Sequence, residues 1–128
     1  MELTAPKKIA SVLHVDDEAD ILQVVQTLLT SEGFRVTSVD NGAAALQLLK
    51  QQPFDVVLLD IMMPEMSGWE LYSRAVKIRA DIKVIFMSVL EASPQRISEL
   101  REYGVRDYIT KPFDADDLLA RIKKVISE

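Results

Sequence analysis

The amino-acid sequence predicts an α/β fold: a doubly wound, five-stranded parallel sheet flanked by five helices. Short apolar runs alternate with longer segments of helical period along the 128 residues. One of these runs, residues 54–59, is almost continuously apolar, which is typical of a strand covered on both faces of a parallel sheet. No linker, charge run or low-complexity stretch interrupts the alternation, so one domain is expected over residues 1–128.

The first two strand–helix units are predicted from residue type and helical spacing. Residues 9–15, rich in branched side chains, and residues 34–39 are the predicted strands. Between them, apolar residues share one helical face, and Gly33 follows as the expected C-cap. That face comprises Ile21, Leu22, Val25, Leu28 and Leu29. The alanine- and leucine-rich residues 43–50 form the second predicted helix.

The third unit starts with the apolar strand over residues 54–59. A loop containing Pro64 follows, and then Ser67, with Glu70 three residues later, predicts a capping box at the start of a helix. Helical spacing continues through Leu71, Ala75 and Ile78.

The fourth unit combines a strand over residues 83–87 with a helix that begins at Ser93-Pro94, because proline is tolerated in the first helical turn. The predicted inner face of this helix comprises Ile97, Leu100 and Tyr103. Gly104 is expected to end the helix.

The fifth unit has a short strand over residues 107–109 and a helix capped by Asp114. The predicted buried face of that helix comprises Leu118, Leu119, Ile122, Val125 and Ile126. Right-handed crossovers between parallel strands then place helices on both faces of the sheet.

Composition excludes several classes of function. The chain has no cysteine and one histidine, His14, which excludes a disulfide scaffold, a thiol nucleophile and a typical zinc site. No apolar stretch reaches the roughly 18 residues of a membrane span, and residues 1–8 lack the apolar core of a secretory signal. The net charge of −5 argues against general nucleic-acid binding. We therefore expect a cytoplasmic domain without membrane association or direct nucleic-acid contact.

Polar residues stand where the predicted strands end, at the edge where open parallel sheets bind ligands. These residues are Asp16 and Asp17 after the first strand, Asp60 after the third, Ser88 after the fourth and Lys111 after the fifth. The second strand ends in Asp40-Asn41, which is typical of a helix cap. Taken singly, Asp17 is also compatible with capping the first helix and Lys111 with a solvated charge. Their combination at four strand ends favours a site.

The residue types at this edge favour phosphoryl transfer. Three carboxylates brought together repel each other unless a pKa rises or a cation binds, and oxygen ligands favour Mg²⁺ or a similar hard cation. An aspartate can attack phosphorus as a nucleophile, while a lysine and a hydroxyl stabilise the transferred oxygens. The set therefore suits transfer to a carboxylate better than hydrolysis by paired acids. His14, which precedes the acid pair, is interpreted as a packed or hydrogen-bonded histidine.

Four motifs at these positions carry a resemblance to a known family. They are Val15-Asp-Asp-Glu18, Leu58-Leu-Asp-Ile-Met-Met-Pro-Glu-Met-Ser-Gly68, Met87-Ser88 and Asp107-Tyr-Ile-Thr-Lys-Pro-Phe113. Over about residues 7–126, the chain resembles the receiver domain of bacterial and archaeal two-component response regulators. The resemblance implies a flavodoxin-like sheet with the strand order 2-1-3-4-5.

The resemblance implies a site for Mg²⁺ or Mn²⁺ beside a phosphoacceptor. Asp60 is the implied phosphoacceptor and also a metal ligand. Asp17 is implied as a direct ligand, Asp16 as a ligand through water, and the backbone carbonyl of Met62 as the remaining protein ligand.

The resemblance also implies how such a domain switches. Ser88 and Lys111 bond to the phosphoryl group on Asp60, and Tyr108 matches an aromatic side chain that moves inward on activation. The peptide bond between Lys111 and Pro112 is cis in many relatives. The domain catalyses only its own phosphorylation and dephosphorylation, so it is expected to be a signalling domain and not an enzyme acting on a free metabolite.

The implied partners are a sensor histidine kinase or a phosphotransfer protein, which supplies the phosphoryl group, and a downstream protein or output domain. The surface expected to change comprises the fourth helix, the fifth strand and the fifth helix. The start at Met1 and the lack of a C-terminal linker favour a stand-alone domain. The alternative is an N-terminal receiver excised from a longer regulator with a DNA-binding or enzymatic output domain.

Several positions differ from well-known relatives. Met62 and Leu90 flank the expected path of an attacking water and are apolar, and Val89 is bulkier than the small residue often found there. These residues predict a long-lived phosphoryl group. Arg106 and Ile97 depart from the charge set through which winged-helix members dimerise, so a monomer or a weak phosphorylation-dependent dimer is expected.

Three rival functions are disfavoured by residues at the same edge. A flavodoxin-like cofactor module needs a phosphate loop of small residues after the first strand, where this chain has acids. A phosphatase with an aspartyl nucleophile needs a second carboxylate two residues after the first, where Met62 stands. A pseudo-receiver that only binds partners does not need the intact acid pair, Asp60 and Lys111.

Overall fold

The computed structural model describes residues 9–128, and the predicted absence of a secretory signal in residues 1–8 lies outside the described residues. Strands and helices alternate along the chain. In order they are β1 (Ser11–Val15), α1 (Ala19–Ser31), β2 (Arg35–Val39), α2 (Gly42–Gln51), β3 (Val56–Asp60), α3 (Gly68–Ile78), β4 (Val84–Ser88), α4 (Pro94–Glu102), β5 (Asp107–Thr110) and α5 (Ala115–Ser127). All strand pairs are parallel and the order is β2-β1-β3-β4-β5, which confirms the predicted fold class.

Four predicted strands begin one or two residues too early in the chain. Ile9 is 55% exposed, and β1 begins only at Ser11. At that point the Ser11 N–H donates to the Asp55 carboxylate over 2.7 Å, so a side chain ties the start of β1 to the residue just before β3. At the other end, β3 and β4 each extend one residue further than predicted. Asp60 and Ser88 are therefore the last residues of their strands, which fixes their backbone in the sheet.

The core lies in two layers, one on each face of the sheet. One layer packs beneath α1 and α5 and includes Val25 and Ile122, while the other packs beneath α2, α3 and α4 and includes Leu49 and Leu71. Residues alternate between the layers along each strand, because successive strand side chains point to opposite faces. None of the helices in residues 9–128 is long and apolar enough to cross a membrane.

Side-chain caps and glycine turns define the helix ends. Oxygen atoms of four predicted cap residues accept backbone N–H groups in the first turns; these residues are Asn41, Ser67, Ser93 and Asp114. After α4, Gly104 adopts φ +105°, and the Val105 N–H donates to the Leu100 carbonyl over 3.0 Å. Only glycine takes this left-handed conformation without a steric cost, so the predicted helix end is confirmed.

The predicted inner face of α4 was wrong at Tyr103. This residue is 75% exposed and is the C-cap of the helix, which ends at Glu102. The spacing pattern failed because the chain turns away at Gly104 before Tyr103 can complete another helical turn. Leu100 is buried as predicted, and the Tyr103 carbonyl accepts a 3.0 Å hydrogen bond from the Tyr72 hydroxyl.

Candidate functional site

The carboxyl edge of the sheet gathers four carboxylates. One oxygen from each of Asp16, Asp17, Glu18 and Asp60 lies within 4.8 Å of the others. Asp16 and Asp60 are buried, whereas Asp17 and Glu18 are exposed, so the cluster extends from the sheet edge to the solvent. The N-cap position of α1 is held by Glu18, without a side-chain hydrogen bond, so Asp17 is not the helix cap that its residue type also suggested.

One lysine supplies the positive charge inside this cluster. The Nζ of Lys111 lies 2.6 Å from Asp16 Oδ2 and 3.3 Å from oxygens of both Asp60 and Glu18. Its backbone N–H donates to the Ser88 carbonyl over 2.7 Å, and the following peptide bond, to Pro112, is cis. The backbone hydrogen bond to Ser88 fixes the start of a side chain that is itself almost fully buried, so the ammonium group is held against the acids.

Asp60 is a buried carboxyl group whose two oxygens have different partners. Oδ1 accepts the Met62 N–H over 3.0 Å, and Oδ2 faces Lys111. Burial has the largest effect on the pKa of Asp60 and raises it, and the negative charge of Asp16 raises it further. Although the Met62 N–H and Lys111 act in the opposite direction, the pKa of Asp60 rises to about 6. Near neutral pH the carboxylate is therefore ionised, but it is less stable as an anion than an exposed aspartate.

The donor set fits a hard divalent cation. The four carboxylates and the ammonium group of Lys111 together carry a formal charge of −3 when all are ionised. All four side chains offer oxygen atoms as metal ligands. Magnesium takes few carboxylates and keeps several waters, which suits a cluster with two exposed members. The residues present therefore fit Mg²⁺ or Mn²⁺.

The loop after β4 is held by two side chains of the predicted switch. The Ser88 hydroxyl accepts the Leu90 N–H over 3.1 Å, and the Tyr108 hydroxyl donates to the Leu90 carbonyl. Tyr108 is 8% exposed, so its ring lies inward in this structure. Asp60 pairs with Met87 across the sheet, which puts Ser88 one residue further along the neighbouring strand.

Comparison with known proteins decides the family. The family model described as "Response regulator receiver domain" matches residues 12–123. The chain belongs to the receiver domains of response regulators. Curated relatives of this receiver domain include the transcriptional regulatory protein YkoG of Bacillus subtilis, 36% identical over 117 residues, which cover 91% of this chain and 51% of the relative. The sensory transduction protein RegX3 of Mycobacterium tuberculosis is 38% identical over 116 residues, with 91% and 50% coverage. The receiver domain thus spans about half the length of the curated relatives it matches.

Solved structures share both the fold and the extent of the receiver domain. A CheY-like receiver domain protein from Methanospirillum hungatei superposes with a TM-score of 0.84 at 31% identity, covering 94% of this chain and 95% of that one. The response regulator TrrA of Thermotoga maritima, solved in complex with Mg²⁺ and BeF, superposes with a TM-score of 0.78 at 31% identity, covering 91% and 99%. A receiver domain is a signalling module of two-component systems.

The receiver-domain residues predicted from the sequence meet at one edge, with one addition. Asp16, Asp17 and Asp60 lie within 4.8 Å of one another, and Lys111 contacts Asp16 and Asp60. Glu18 was not predicted to join them, although it contacts Lys111. The sequence offered one sign that Glu18 would join the site, because Glu18 is the third of three consecutive acids after β1.

Trp69 is placed to report events at this site. It is the single tryptophan of the chain, and its ring packs edge-on against Phe86, with 5.1 Å between the ring centroids. It also lines a cavity of about 390 Å³ that Ser88 and Tyr108 share. Changes at the end of β4 should therefore alter its fluorescence.

The raised pKa of Asp60 predicts a pH-dependent stability without metal. The folded state holds the Asp60 proton more tightly than the unfolded chain, so ionisation destabilises the fold as pH rises from about 4 to about 6. In EDTA, Asp60→Asn should therefore gain stability relative to wild type across this window, by on the order of 2 kcal/mol at pH 7.5. Urea denaturation at pH 4.5 and 7.5 measures the difference.

The matched control for this prediction is Asp81→Asn, which changes an exposed aspartate on the loop before β4. It should follow wild type at both pH values. Parallel stability curves for wild type and Asp60→Asn would contradict the prediction, because they would show that Asp60 ionises equally well in both states.

Proposed function

We propose that this receiver domain accepts a phosphoryl group on Asp60 with the help of Mg²⁺ or Mn²⁺. The proposed protein ligands are Asp16, Asp17, Asp60 and the backbone carbonyl of Met62. One observation carries the proposal: Asp60 is a buried carboxyl group, one of whose oxygens faces a lysine inside a cluster of acids. An arrangement with so much uncompensated negative charge favours a working site over a pseudo-receiver that only binds partners.

The proposed reaction assigns one task to each side chain. An Asp60 oxygen attacks phosphorus while the bond from phosphorus to the donor nitrogen breaks, and the donor histidine keeps that electron pair and takes up a proton. Lys111 pairs with the arriving oxygens, and the Ser88 hydroxyl donates to one of them. A divalent cation, when bound, neutralises negative charge on the phosphoryl oxygens. The domain catalyses this step on itself and turns over no free metabolite.

The proposed partners follow from the family. A sensor histidine kinase or a phosphotransfer protein in the cytoplasm donates the phosphoryl group. The surface of α4, β5 and α5 then changes its affinity for a downstream protein or for an output domain in the same polypeptide. Both relatives named above are about twice as long as this domain, and YkoG is named a transcriptional regulatory protein, which supports the second arrangement. In either arrangement, we propose that residues 1–128 act as one receiver domain without touching nucleic acid.

Metal dependence tests the proposed function. Acetyl phosphate should add one phosphoryl group, seen by intact mass, in Mg²⁺ but not in EDTA. Asp17→Ala should weaken Mg²⁺ binding by about tenfold or more, because a direct ligand is lost, and Asp16→Ala should weaken it less. Titration of Mg²⁺ against the fluorescence of Trp69 gives the affinities.

Asp20→Ala is the control for these variants, since Asp20 is an exposed acid in the first turn of α1. It should bind Mg²⁺ as the wild type does. Labelling in EDTA, or the same Mg²⁺ affinity in all four proteins, would be incompatible with the proposed metal site.

Charged residues on α5 predict that the phosphorylated domain forms at most a weak dimer. Arg121 is already engaged within the chain, 2.8 Å from Asp107 and 2.9 Å from Asp117. Arg106 pairs with Glu128 over 3.4 Å. Exposed ion pairs contribute little singly, so an incomplete set across two copies gives little affinity. Sedimentation with Mg²⁺ and beryllofluoride should show a monomer or a weak dimer. A tight dimer that Asp117→Asn with Arg121→Gln dissolves would refute this.

A further inference from the structure

One buried side chain beside the acid cluster has no task in the reaction above. His14 on β1 is 0% exposed, and neither ring nitrogen has a hydrogen-bond partner. Buried polar side chains are nearly always hydrogen-bonded, so each exception needs an explanation. The orphaned ring lies two residues before Asp16, one of the proposed metal ligands.

His14 lies in the sheet next to the apolar layer beneath α1 and α5. It pairs with Ser38 and Leu58 on the neighbouring strands and points to the same face as Val12, which packs in the layer beneath α1 and α5. Burial lowers the pKa of His14 to about 4; Lys111 adds to this effect and Asp16 opposes it. The imidazole is therefore neutral near pH 7 and carries one N–H.

Among the ion pairs of residues 9–128, the one that involves His14 joins it to Asp16. His14 Nε2 lies 3.9 Å from Asp16 Oδ2, which is too long for a hydrogen bond. Lys111 Nζ holds the same oxygen at 2.6 Å, and the Glu18 N–H occupies Oδ1 at 2.9 Å. Lys111 thus satisfies the oxygen that His14 would otherwise bind.

We propose that His14 is a positioning residue that replaces Lys111 as the hydrogen-bond donor to Asp16 once a phosphoryl group forms on Asp60. This inference rests on the proposed function. Lys111 Nζ is only 3.3 Å from Asp60 Oδ2, so new negative charge there draws the ammonium group away from Asp16. Oδ2 of the fully buried Asp16 then loses its direct side-chain partner. A shift of less than about 1 Å brings Nε2 into hydrogen-bond range of the freed oxygen.

The same geometry fixes the tautomer of the neutral ring. With the proton on Nε2, the N–H points at a carboxylate. With the proton on Nδ1, a lone pair of Nε2 would face that carboxylate, and the two like-charged acceptors would repel each other. The ring therefore holds its proton on Nε2 both before and after phosphorylation.

The first test uses the wild-type chain, in which His14 is the single histidine and gives one set of imidazole signals. Long-range ¹H–¹⁵N spectra of the labelled protein at pH 7 should show the Nε2–H tautomer. Adding Mg²⁺ with beryllofluoride, a phosphoryl mimic, should move the Nε2–H proton downfield and slow its exchange with water. Mg²⁺ alone should leave it nearly unchanged. An Nδ1–H tautomer, or an Nε2–H signal that ignores beryllofluoride, would overturn the proposal.

The second test compares variants by the fluorescence of Trp69. His14→Gln keeps an N–H donor near the Nε2 position, and His14→Leu keeps volume but no donor. His14→Leu should bind beryllofluoride in Mg²⁺ about tenfold more weakly than wild type, whereas His14→Gln should stay within about threefold. Both should bind Mg²⁺ alone within about twofold of wild type, a pattern that loss of packing would not produce.

The outcomes separate this inference from the proposed function. If wild type fails to bind beryllofluoride in Mg²⁺, the proposed function is wrong and this inference falls with it. If wild type binds it but both variants bind equally well, only the role of His14 is wrong. The spectra of the wild-type protein decide the question even if a variant does not fold.

Discussion

Asp60→Asn is expected to lose phosphorylation completely. The amide has the size of the carboxyl group but no anionic oxygen that can attack phosphorus. The other acids cannot substitute for it: Asp16 is buried with one oxygen bound to Lys111 and the other to the Glu18 N–H, and Asp17 lies exposed at the rim of the cluster. The effect is therefore expected to be all or none.

Intact mass after incubation with acetyl phosphate and Mg²⁺ measures this effect. Wild type should gain one phosphoryl group, and Asp60→Asn should gain none. The control is Asp107→Asn, because Asp107 is also a buried aspartate but stands at the opposite end of the sheet, where β5 begins. It should be labelled like wild type. A full Mg²⁺-dependent adduct on Asp60→Asn would show that another residue is the acceptor.

The second large effect concerns the lifetime of the phosphoryl group. Hydrolysis needs a water in line with the bond from phosphorus to Asp60, and polar side chains beside the site can hold that water. Met62 and Leu90 stand at these flanks and offer no strong donor or acceptor. Both are more than half exposed, at 54% and 59%, so they do not cover the site in this structure. The slow hydrolysis we expect therefore depends mainly on a poorly held water.

Adding polar groups at these positions should accelerate the decay. A gain in positioning worth about 1.4 kcal/mol speeds hydrolysis roughly tenfold. We expect Met62→Asn with Leu90→Glu to lose its phosphoryl group at least about tenfold faster than wild type, with the single variants in between. Decay is followed by intact mass after removal of acetyl phosphate.

Val24→Asn is the matched control, because Val24 is an apolar residue on α1 with a similar exposure of 55%. It should decay at the rate of wild type. If wild type loses its phosphoryl group within seconds and neither flanking substitution changes that rate, the flanks do not control hydrolysis in this domain.

Local patterns predicted the elements of the fold because period, caps and glycine turns act over a few residues. Ser67, Ser93 and Asp114 cap helices in the structure as their positions predicted. The failure at Tyr103 has the same origin, since helical spacing alone does not say which turn is the last. The strand order followed from the family resemblance, because no local pattern says which strands are neighbours.

The sequence predicted most residues of the candidate site but not the distances between their side chains. Parallel strands bring their carboxyl ends to one edge, which suffices to place Asp16 and Asp60 together. The sequence did not indicate that Lys111 binds Asp16 more closely than Asp60, nor that Glu18 joins them, because side-chain distances depend on packing between distant segments. His14 is packed, as one of its two interpretations predicted, but no pattern indicated that neither ring nitrogen would have a hydrogen-bond partner.

The order of the loop after β3 affects the free energy with which a cation binds at the site. The Gly68 N–H donates to the Ile61 carbonyl over 2.9 Å, and a Cβ on Gly68 would come within 2.6 Å of the Asp60 carbonyl oxygen. The Met62 N–H is tied to Asp60 as well. The backbone around Met62 is thus ordered by folding itself, before any ligand arrives. A cation binding there has little chain entropy left to remove, so its affinity reflects the charges and oxygens it meets and not the cost of arranging them.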